Sequence, residues 1–236
     1  MFLEKMLQSQ GFGSRKHCQQ LIKNGAIAIQ GEVITNAKHK LDLNHLSFSV
    51  YGEHFDYREK VYIALNKPQD YECSHQATHH FSVFDLFDDV LMNRGLQCVG
   101  RLDQDTSGLL LLTDDGQFLQ ALTHPKKHVA KVYRMQTGDP VTAQQIQQLQ
   151  QGIELRNESG IFAATDVIQL AENELQLTIH QGVYHQVKRM LAAVGNKVER
   201  LHRQQIGALT LPELAQGKWI YLDEQQVELA RTQMVI

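Results

Sequence analysis

Asp103 is the residue of this chain best placed to do chemistry. It stands in the polar turn Gly100-Arg101-Leu102-Asp103-Gln104-Asp105-Thr106-Ser107-Gly108, directly ahead of Leu109-Leu110-Leu111-Leu112. A leucine run bounded by turn residues predicts a strand buried on both faces. A carboxylate at the edge of such a strand is carried by a rigid element and partly screened from water, the setting in which an acidic catalyst keeps one geometry. An Asp before an apolar strand is also an ordinary turn residue, so the rest of the chain has to decide between the two roles. A second group, His185, Lys188 and Arg189, shares one helix face at i, i+3 and i+4. That spacing fits an exposed basic face as well as a site. A carboxylate-pair hydrolase would need two acidic groups across a cleft, and Asp105 is too near Asp103 in sequence to be a convincing partner. His75, His79 and His80 cluster without the Cys or His partners of a structural zinc site, so they read as an exposed loop and no metal is expected.

The elements that must position these groups follow from periodicity and punctuation. Leu3, Met6 and Leu7 have helical spacing, broken by Gly11 and Gly13. Ser14 is placed to cap a second helix carrying Arg15, Lys16, Leu21, Ile22 and Lys23, which ends at Gly25. Ala26 to Ile34 reads as strand, turn at Gln30-Gly31, strand, and a further strand runs over Leu46 to Val50 before the turn Tyr51-Gly52. His54 to Lys60, polar and without apolar period, is expected to be a linker. Val61 to Leu65 opens a second domain as a strand that Asn66-Lys67-Pro68 ends. After it come an apolar segment at Val83–Phe87, the Asp103 turn and its strand, and a helix over Gln117–Thr123. A strand over Ala130–Thr137 and a helix capped by Thr142 and ending near Gly152 follow. The pattern continues with strands around Ile161–Leu170 and Glu174–His180, a helix over His185–Val194, a strand over Val198–Ile206 and a last helix capped by Asp223. Strands outnumber helices and hairpin spacings recur, which points to an α+β fold with a largely antiparallel mixed sheet flanked by helices. The expected division is a small module over residues 1–57 and a larger domain over residues 58–236.

Composition narrows the class. The chain has 236 residues and a formal net charge of -3, room for one medium and one small domain. No apolar run approaches the roughly 20 residues of a membrane span, and the start carries no signal-peptide pattern. Three widely spaced cysteines, Cys18, Cys73 and Cys98, suggest reduced thiols and a cytoplasmic location. A negative total argues against a nucleic-acid partner, but distribution matters more than the sum. Between Gly116 and Gly138 every formal charge is positive: Lys126, Lys127, Lys131 and Arg134. Between Gln186 and Arg203, Lys188, Arg189, Lys197, Arg200 and Arg203 stand against Glu199 alone. That polarity is compatible with one basic face on an acidic body.

Two resemblances carry the reading further. Gly13-Ser14-Arg15-Lys16, Leu21-Ile22-Lys23-Asn24-Gly25 and Ile29-Gln30-Gly31-Glu32-Val33-Ile34 resemble, in order and spacing, the S4-type RNA-binding module. In that family the second helix turns its basic side to folded RNA, which implicates Arg15, Lys16 and Lys23 in phosphate contacts that read no sequence. The Asp103 turn, Lys131-Val132-Tyr133 and Gln181-Gly182-Val183-Tyr184-His185-Gln186-Val187-Lys188-Arg189-Met190 together resemble the RsuA-type ribosomal RNA pseudouridine synthases. Asn66-Lys67-Pro68, Tyr71-Glu72-Cys73-Ser74, Thr113-Asp114-Asp115-Gly116, Ala193-Val194-Gly195-Asn196, Glu199-Arg200-Leu201-His202-Arg203 and Ile206-Gly207 extend the likeness over nearly the whole chain.

The second resemblance implies isomerisation of uridine to pseudouridine in 16S rRNA, at position 516 in standard bacterial numbering. The bond from ribose to uracil N1 breaks, the base turns, and C5 is joined to C1′. No redox change or imported group is involved, so no cofactor is expected. The family's essential aspartate falls on Asp103, which attacks the ribose or removes a sugar proton; the sequence leaves both routes open. Either needs an ionised carboxylate. Burial alone would neutralise it, and a cation within about 4–6 Å opposes that. Lys188 falls on the family position for this counter-charge, with Arg189 as the alternative. Tyr133 falls on the tyrosine that stacks on the flipped base, and Arg101 on a residue that contacts phosphate or helps extrude the base. Lys131, His185 and Arg189 are implied as further RNA contacts. The implied partner is ribosomal RNA, in an assembling small subunit, with no membrane and the protein acting as a monomer. Two positions depart from the family: Val183 stands where a basic residue is common, and Asp70 where Gly is common. The same chemistry on a 23S rRNA uridine, or a ribosome-binding protein without catalysis, are the competing readings.

Overall fold

The computed structural model describes residues 1–124 and 127–232; Lys126, one of the basic residues named above, lies outside them. The chain divides into two compact units, one of Met1–Val61 with Phe87–Leu96, the other of Tyr62–Leu86 with Gln97 onward.

The first unit opens with α1 (Leu3–Ser9) and α2 (Arg15–Lys23). The Ser14 side chain accepts a hydrogen bond from the His17 amide and so caps α2, removing one orphan donor of the first turn. A four-stranded sheet follows in the order β2-β1-β3-β4, with β1 Ile27–Ile29, β2 Glu32–Val33, β3 Ser47–Val50 and β4 Glu53–Asp56. Gln30 and Gly31, with φ of 51° and 82°, make the tight turn between β1 and β2, since a two-residue hairpin turn of this kind needs positive φ at both positions. Leu3, Met6, Leu7, Ile22, Ile27 and Phe48 form the core.

One expectation fails here. The segment from His54 is not a linker at its start, because β4 pairs with β3 through Phe48↔Phe55 and Ser47↔Asp56. Phe55 packs edge-on to Phe12 and stacks with Phe48, while His54 and Asp56 on either side are exposed. An edge strand held by one apolar residue leaves no periodic signal. The unit is completed by a segment from much later in the chain, α3 (Asp89–Met92), capped by Asp88. Asn93 donates to Gly11 O at 3.1 Å, and Arg94 donates to Gln10 Oε1 at 3.0 Å and to Arg58 O at 2.9 Å. At Gly11, with φ of 92°, a Cβ would lie 1.9 Å from Val90 O, so only glycine lets the two segments meet.

The second unit runs through β5 (Tyr62–Lys67), the parallel pair β6 (Tyr71–Glu72) and β7 (Phe81–Ser82), a 3-10 turn at Val83–Leu86, β8 (Gln97–Cys98), β9 (Thr106–Thr113) and α4 (Gly116–Thr123). It continues with β10 (Lys131–Thr137), α5 (Ala143–Gln151), the hairpin β11 (Ile153–Glu154) and β12 (Ile161–Phe162), then β13 (Thr165–Ala171) and β14 (Glu174–Ile179). Last come α6 (Gln186–Ala193), β15 (Val198–Ile206), β16 (Leu209–Thr210), β17 (Trp219–Tyr221) and α7 (Glu224–Arg231). The main sheet has the order β13-β14-β10-β15-β9-β5-β17, with β8 paired to β9 and β16 to β15. All its pairings are antiparallel except β9 with β15, in keeping with the expected α+β class.

The leucine strand β9 is buried at every residue. Leu109 and Leu111 pack with Phe118 and Leu122 of α4, Ile206 of β15 and Val227 of α7. Gly108 lets β15 come close: its φ is 106° and a Cβ there would lie 2.2 Å from Arg203 O. The Asp103 turn thereby leads directly into the parallel pairing of β9 with β15.

Candidate active site

The Asp103 turn is held from behind by a lysine. Lys67, the last residue of β5, is fully buried. Its Nζ donates to Pro68 O at 2.9 Å, Gln104 O at 3.2 Å and Thr106 O at 2.9 Å. Three acceptors match the three donors of an ammonium group. Burial pushes its pKa down to about 8, against the opposing pull of Cys73, Asp105, Asp103 and Asp70. The turn is closed further by the Thr106 amide on Asp103 O at 3.1 Å and by the Asp70 amide on Gln104 O at 2.8 Å. Asp70 has φ of 65°. This left-handed conformation is the physical reason the position suits Gly, and Asp is one of the few side chains that tolerate it.

In front, Asp103 meets two cations or cation precursors. Lys188 Nζ lies 3.3 Å from Asp103 Oδ2 and 2.5 Å from Asp105 Oδ1. His185 Nε2 lies 3.3 Å from Asp103 Oδ1. His185 occupies the N-cap of α6 without making a side-chain cap bond, at φ 50° and ψ 33°. A left-handed non-glycine residue costs on the order of 1–3 kcal/mol, and such strain gathers at functional sites; here it leaves the imidazole aimed at Asp103. Gln186 Oε1 receives the Val183 amide at 3.3 Å and steadies the loop before the helix.

These groups border a cavity of about 460 Å³, within the range of small-ligand sites, ~300–1,000 Å³. Tyr133 of β10 lines it and is only 7% exposed, with its hydroxyl 3.5 Å from Arg203 Nη1. Its partner across the β10–β15 ladder is Arg203 itself. Arg203 is 2% exposed and donates from Nε to Leu109 O at 2.8 Å, while its Nη2 has no hydrogen-bond partner among the described residues. Lys131 lines the same cavity, donates to Val129 O at 3.0 Å, and is pushed down to about 8 by burial with Arg203 adding to the shift. Arg101 borders the mouth and is exposed. Among the described lining residues Asp103 is the single carboxylate, set against Arg101, Lys131, Lys188 and Arg203. That arrangement suits an anionic ligand acted on by one carboxylate, and it lacks the second acid of a two-carboxylate hydrolase.

The expected site residues therefore divide. Asp103, Tyr133, Lys188, Lys131, His185 and Arg101 come together at one cavity. Arg189 does not turn to Asp103: its guanidinium pairs with Glu158 at 2.9 Å and also bonds Tyr184 O and Arg156 O. It therefore cannot take the counter-charge role that was its alternative to Lys188. In the first unit Arg15, Lys16 and Lys23 are exposed along α2, with Arg15 paired to Glu4 at 2.9 Å. Reading the sequence alone missed Lys67, Asp105 and Arg203. The available signals were the motifs quoted above that contain them, Asn66-Lys67-Pro68, the Asp103 turn and Glu199-Arg200-Leu201-His202-Arg203, and a Lys closing a strand just before Pro68.

Comparison with known proteins identifies what the cavity belongs to. The RNA pseudouridylate synthase family matches residues 61–193, and the S4 domain matches residues 3–46. The chain is 38% identical over 231 residues to the ribosomal small subunit pseudouridine synthase A of Vibrio vulnificus, covering 97% of this chain and 98% of that protein. It is 37% identical over 235 residues to an uncharacterized RNA pseudouridine synthase of Bacillus subtilis, covering 97% and 98%. A crystal structure described as a pseudouridylate synthase superposes with a TM-score of 0.69 at 34% identity, over 98% of this chain and 99% of that one. The chain belongs to the RNA pseudouridine synthases, in the branch that carries an S4 domain ahead of the catalytic domain.

Proposed function

We propose that this enzyme isomerises a single uridine of 16S ribosomal RNA, at position 516 in standard bacterial numbering, in an assembling small subunit. The observation that carries the mechanism is Asp103, fixed by Lys67 behind it and held between Lys188 and His185 at a cavity lined by Tyr133. The target uridine flips into the cavity and its base stacks on the Tyr133 ring. Asp103 acts on the ribose, as nucleophile at C1′ or as base toward a sugar proton, and the bond to N1 breaks. Both routes use the Asp103 carboxylate, and Lys188 Nζ lies 3.3 Å from its Oδ2. The detached base turns within the cavity and C5 bonds to C1′ as Asp103 is released or returns the sugar proton; the C5 proton then passes by way of the Tyr133 hydroxyl to solvent while N1 takes up a proton, so no atom is gained or lost. Lys131 and Arg101 meet phosphates or help extrude the base, and the exposed groups Arg15, Lys16 and Lys23 anchor RNA on the N-terminal module, residues 1–57 in the proposed division. The 16S assignment is supported by the names of the similar small-subunit enzymes.

Pseudouridine mapping of rRNA from cells lacking the gene, complemented with wild type or with Asp103→Asn, tests this. One 16S site should be lost and only wild type should restore it. Loss of a 23S site would move the target. Restoration by the Asn variant would remove Asp103 from the chemistry, and an unchanged map would leave a binding role alone.

A further inference from the structure

Beside the cavity stands an aromatic ring that the isomerisation does not use. Tyr184 is 70% exposed, whereas the residues on either side of it, Val183 and His185, line the cavity. Its ring centroid lies 3.7 Å from that of His185, with 19° between the planes. His185 in turn holds Nε2 3.3 Å from Asp103 Oδ1, so Tyr184 is one ring removed from a side chain that touches Asp103. The tyrosine hydroxyl makes no hydrogen bond among the described residues. The backbone beneath the ring is tethered. The Val183 amide donates to Gln186 Oε1 at 3.3 Å, and the Gln186 amide donates back to Val183 O at 3.2 Å. Tyr184 O accepts from Arg189 Nη1 at 3.1 Å, and Arg189 is itself fixed by Glu158 at 2.9 Å. A single exposed apolar side chain is unremarkable. This one differs in being stacked on a cavity-lining ring and carried by a braced loop.

We propose that Tyr184 is a stacking platform for the nucleobase directly beside the target uridine. The proposal deepens the RNA-modifying role given above and rests on it. Extruding a uridine from its stack leaves the adjoining base with one bare face. An aromatic side chain at the cavity mouth covers that face, the usual way an unpaired RNA base is held. The contact tolerates any base, because each has a π-face. Base, Tyr184 and His185 then form three layers, the innermost of which meets Asp103. The flanking nucleotide and the Asp103 carboxylate are thereby set in one register. Val183 gives this rim no charge, so what the loop offers the RNA here is ring surface and not a phosphate contact.

The test is single-turnover pseudouridine formation by the full chain on 16S-containing small-subunit particles, over a range of enzyme concentrations. Tyr184→Ala should raise the half-saturating concentration by roughly 5–140-fold, the loss expected for one stacked base, and leave the rate at saturation unchanged. Tyr184→Phe should match wild type, and Tyr184→Leu should behave as the Ala variant. Thermal unfolding should be that of wild type throughout, because the ring is exposed. With an abasic site on one side of the target, wild type should weaken to the level of Tyr184→Ala, and that variant should weaken no further, as for two partners in one contact. An unchanged half-saturating concentration overturns the platform. So does a loss confined to the rate at saturation, which would make Tyr184 a prop for His185, and so do additive losses with the abasic site on either side. Failure of Tyr184→Phe would put the contact in the hydroxyl and overturn stacking. Wild-type enzyme that makes no pseudouridine in these particles overturns the functional reading and the platform with it, whereas active wild type equalled by Tyr184→Ala overturns the platform alone.

Discussion

Replacing Lys67 by Met tests whether the Asp103 turn is built from behind. Met has a similar length and no charge, so the cavity left is small and the loss is that of the ammonium. Of its three acceptors, Gln104 O keeps the Asp70 amide at 2.8 Å. Pro68 O and Thr106 O each lose a charge-assisted donor at 2.9 Å. Hydrogen bonds to charged groups contribute roughly 1.5–3 kcal/mol each, so two amount to about 3–6 kcal/mol. Relief from burying an ammonium offsets part of this, because an apolar replacement removes the desolvation cost that opposed the charge. A net destabilisation of ~2–4 kcal/mol follows, which for a chain of this size lowers Tm by about 4–16 °C. Urea titration and thermal unfolding give that number. At a temperature where the variant stays folded, turnover should still drop on the order of 10²-fold, because the Asp103 carboxylate is no longer held to within an ångström. A variant within about 1 kcal/mol of wild type, or one equally stable in turnover, would refute the idea that these carbonyl bonds position Asp103.

Lys188→Met removes the cation shared by Asp103 and Asp105; kcat should fall by roughly 10²–10³ with RNA affinity little changed, in single-turnover assays. Gly108→Ala places a Cβ 2.2 Å from Arg203 O at φ 106°, and should cost more than about 3 kcal/mol in chemical denaturation, since backbone rather than a flexible side chain is in the way. Glu4 is held below its ordinary carboxyl value by the Gln19 hydrogen bond first and by Arg15. A depressed folded value contributes stability above the unfolded value that is lost as pH falls through the folded one. The first unit should therefore become less stable on acidification below about pH 4.5, and Glu4→Gln should flatten that dependence in pH-resolved unfolding followed by hydrogen exchange.

Where one local signal dictated an element, it could be read from the sequence. The four leucines gave a strand buried throughout, Ser14 and Thr142 capped the helices they precede, and Gln30-Gly31 turned the first hairpin. The Asp103–Tyr133–Lys188 grouping came from motif order alone, and the fold then brought the three to one cavity. What escaped were features decided by tertiary context. Strand β4 has a single apolar anchor, and β8, β16 and β17 are two or three residues long. Arg189 sits one residue from Lys188, but its direction is set by Glu158, thirty-one positions away. Lys67 looked like a strand end, because nothing local announces three carbonyl acceptors drawn from its own turn and from a turn far along the chain.

The discontinuous first unit bears on how the protein is made. Its N-terminal sixty-one residues lack the segment Phe87–Leu96 that clusters with them, and with it the Asn93 and Arg94 bonds to Gly11, Gln10 and Arg58. On a translating ribosome this RNA-binding unit cannot finish folding when its own stretch emerges. It must wait until residue 96 has cleared the exit tunnel, by which time β5 of the second unit is already outside. A fragment ending at Val61 should accordingly be less stable than the same unit in the full chain, and adding residues 87–96 as a separate peptide should recover part of the difference.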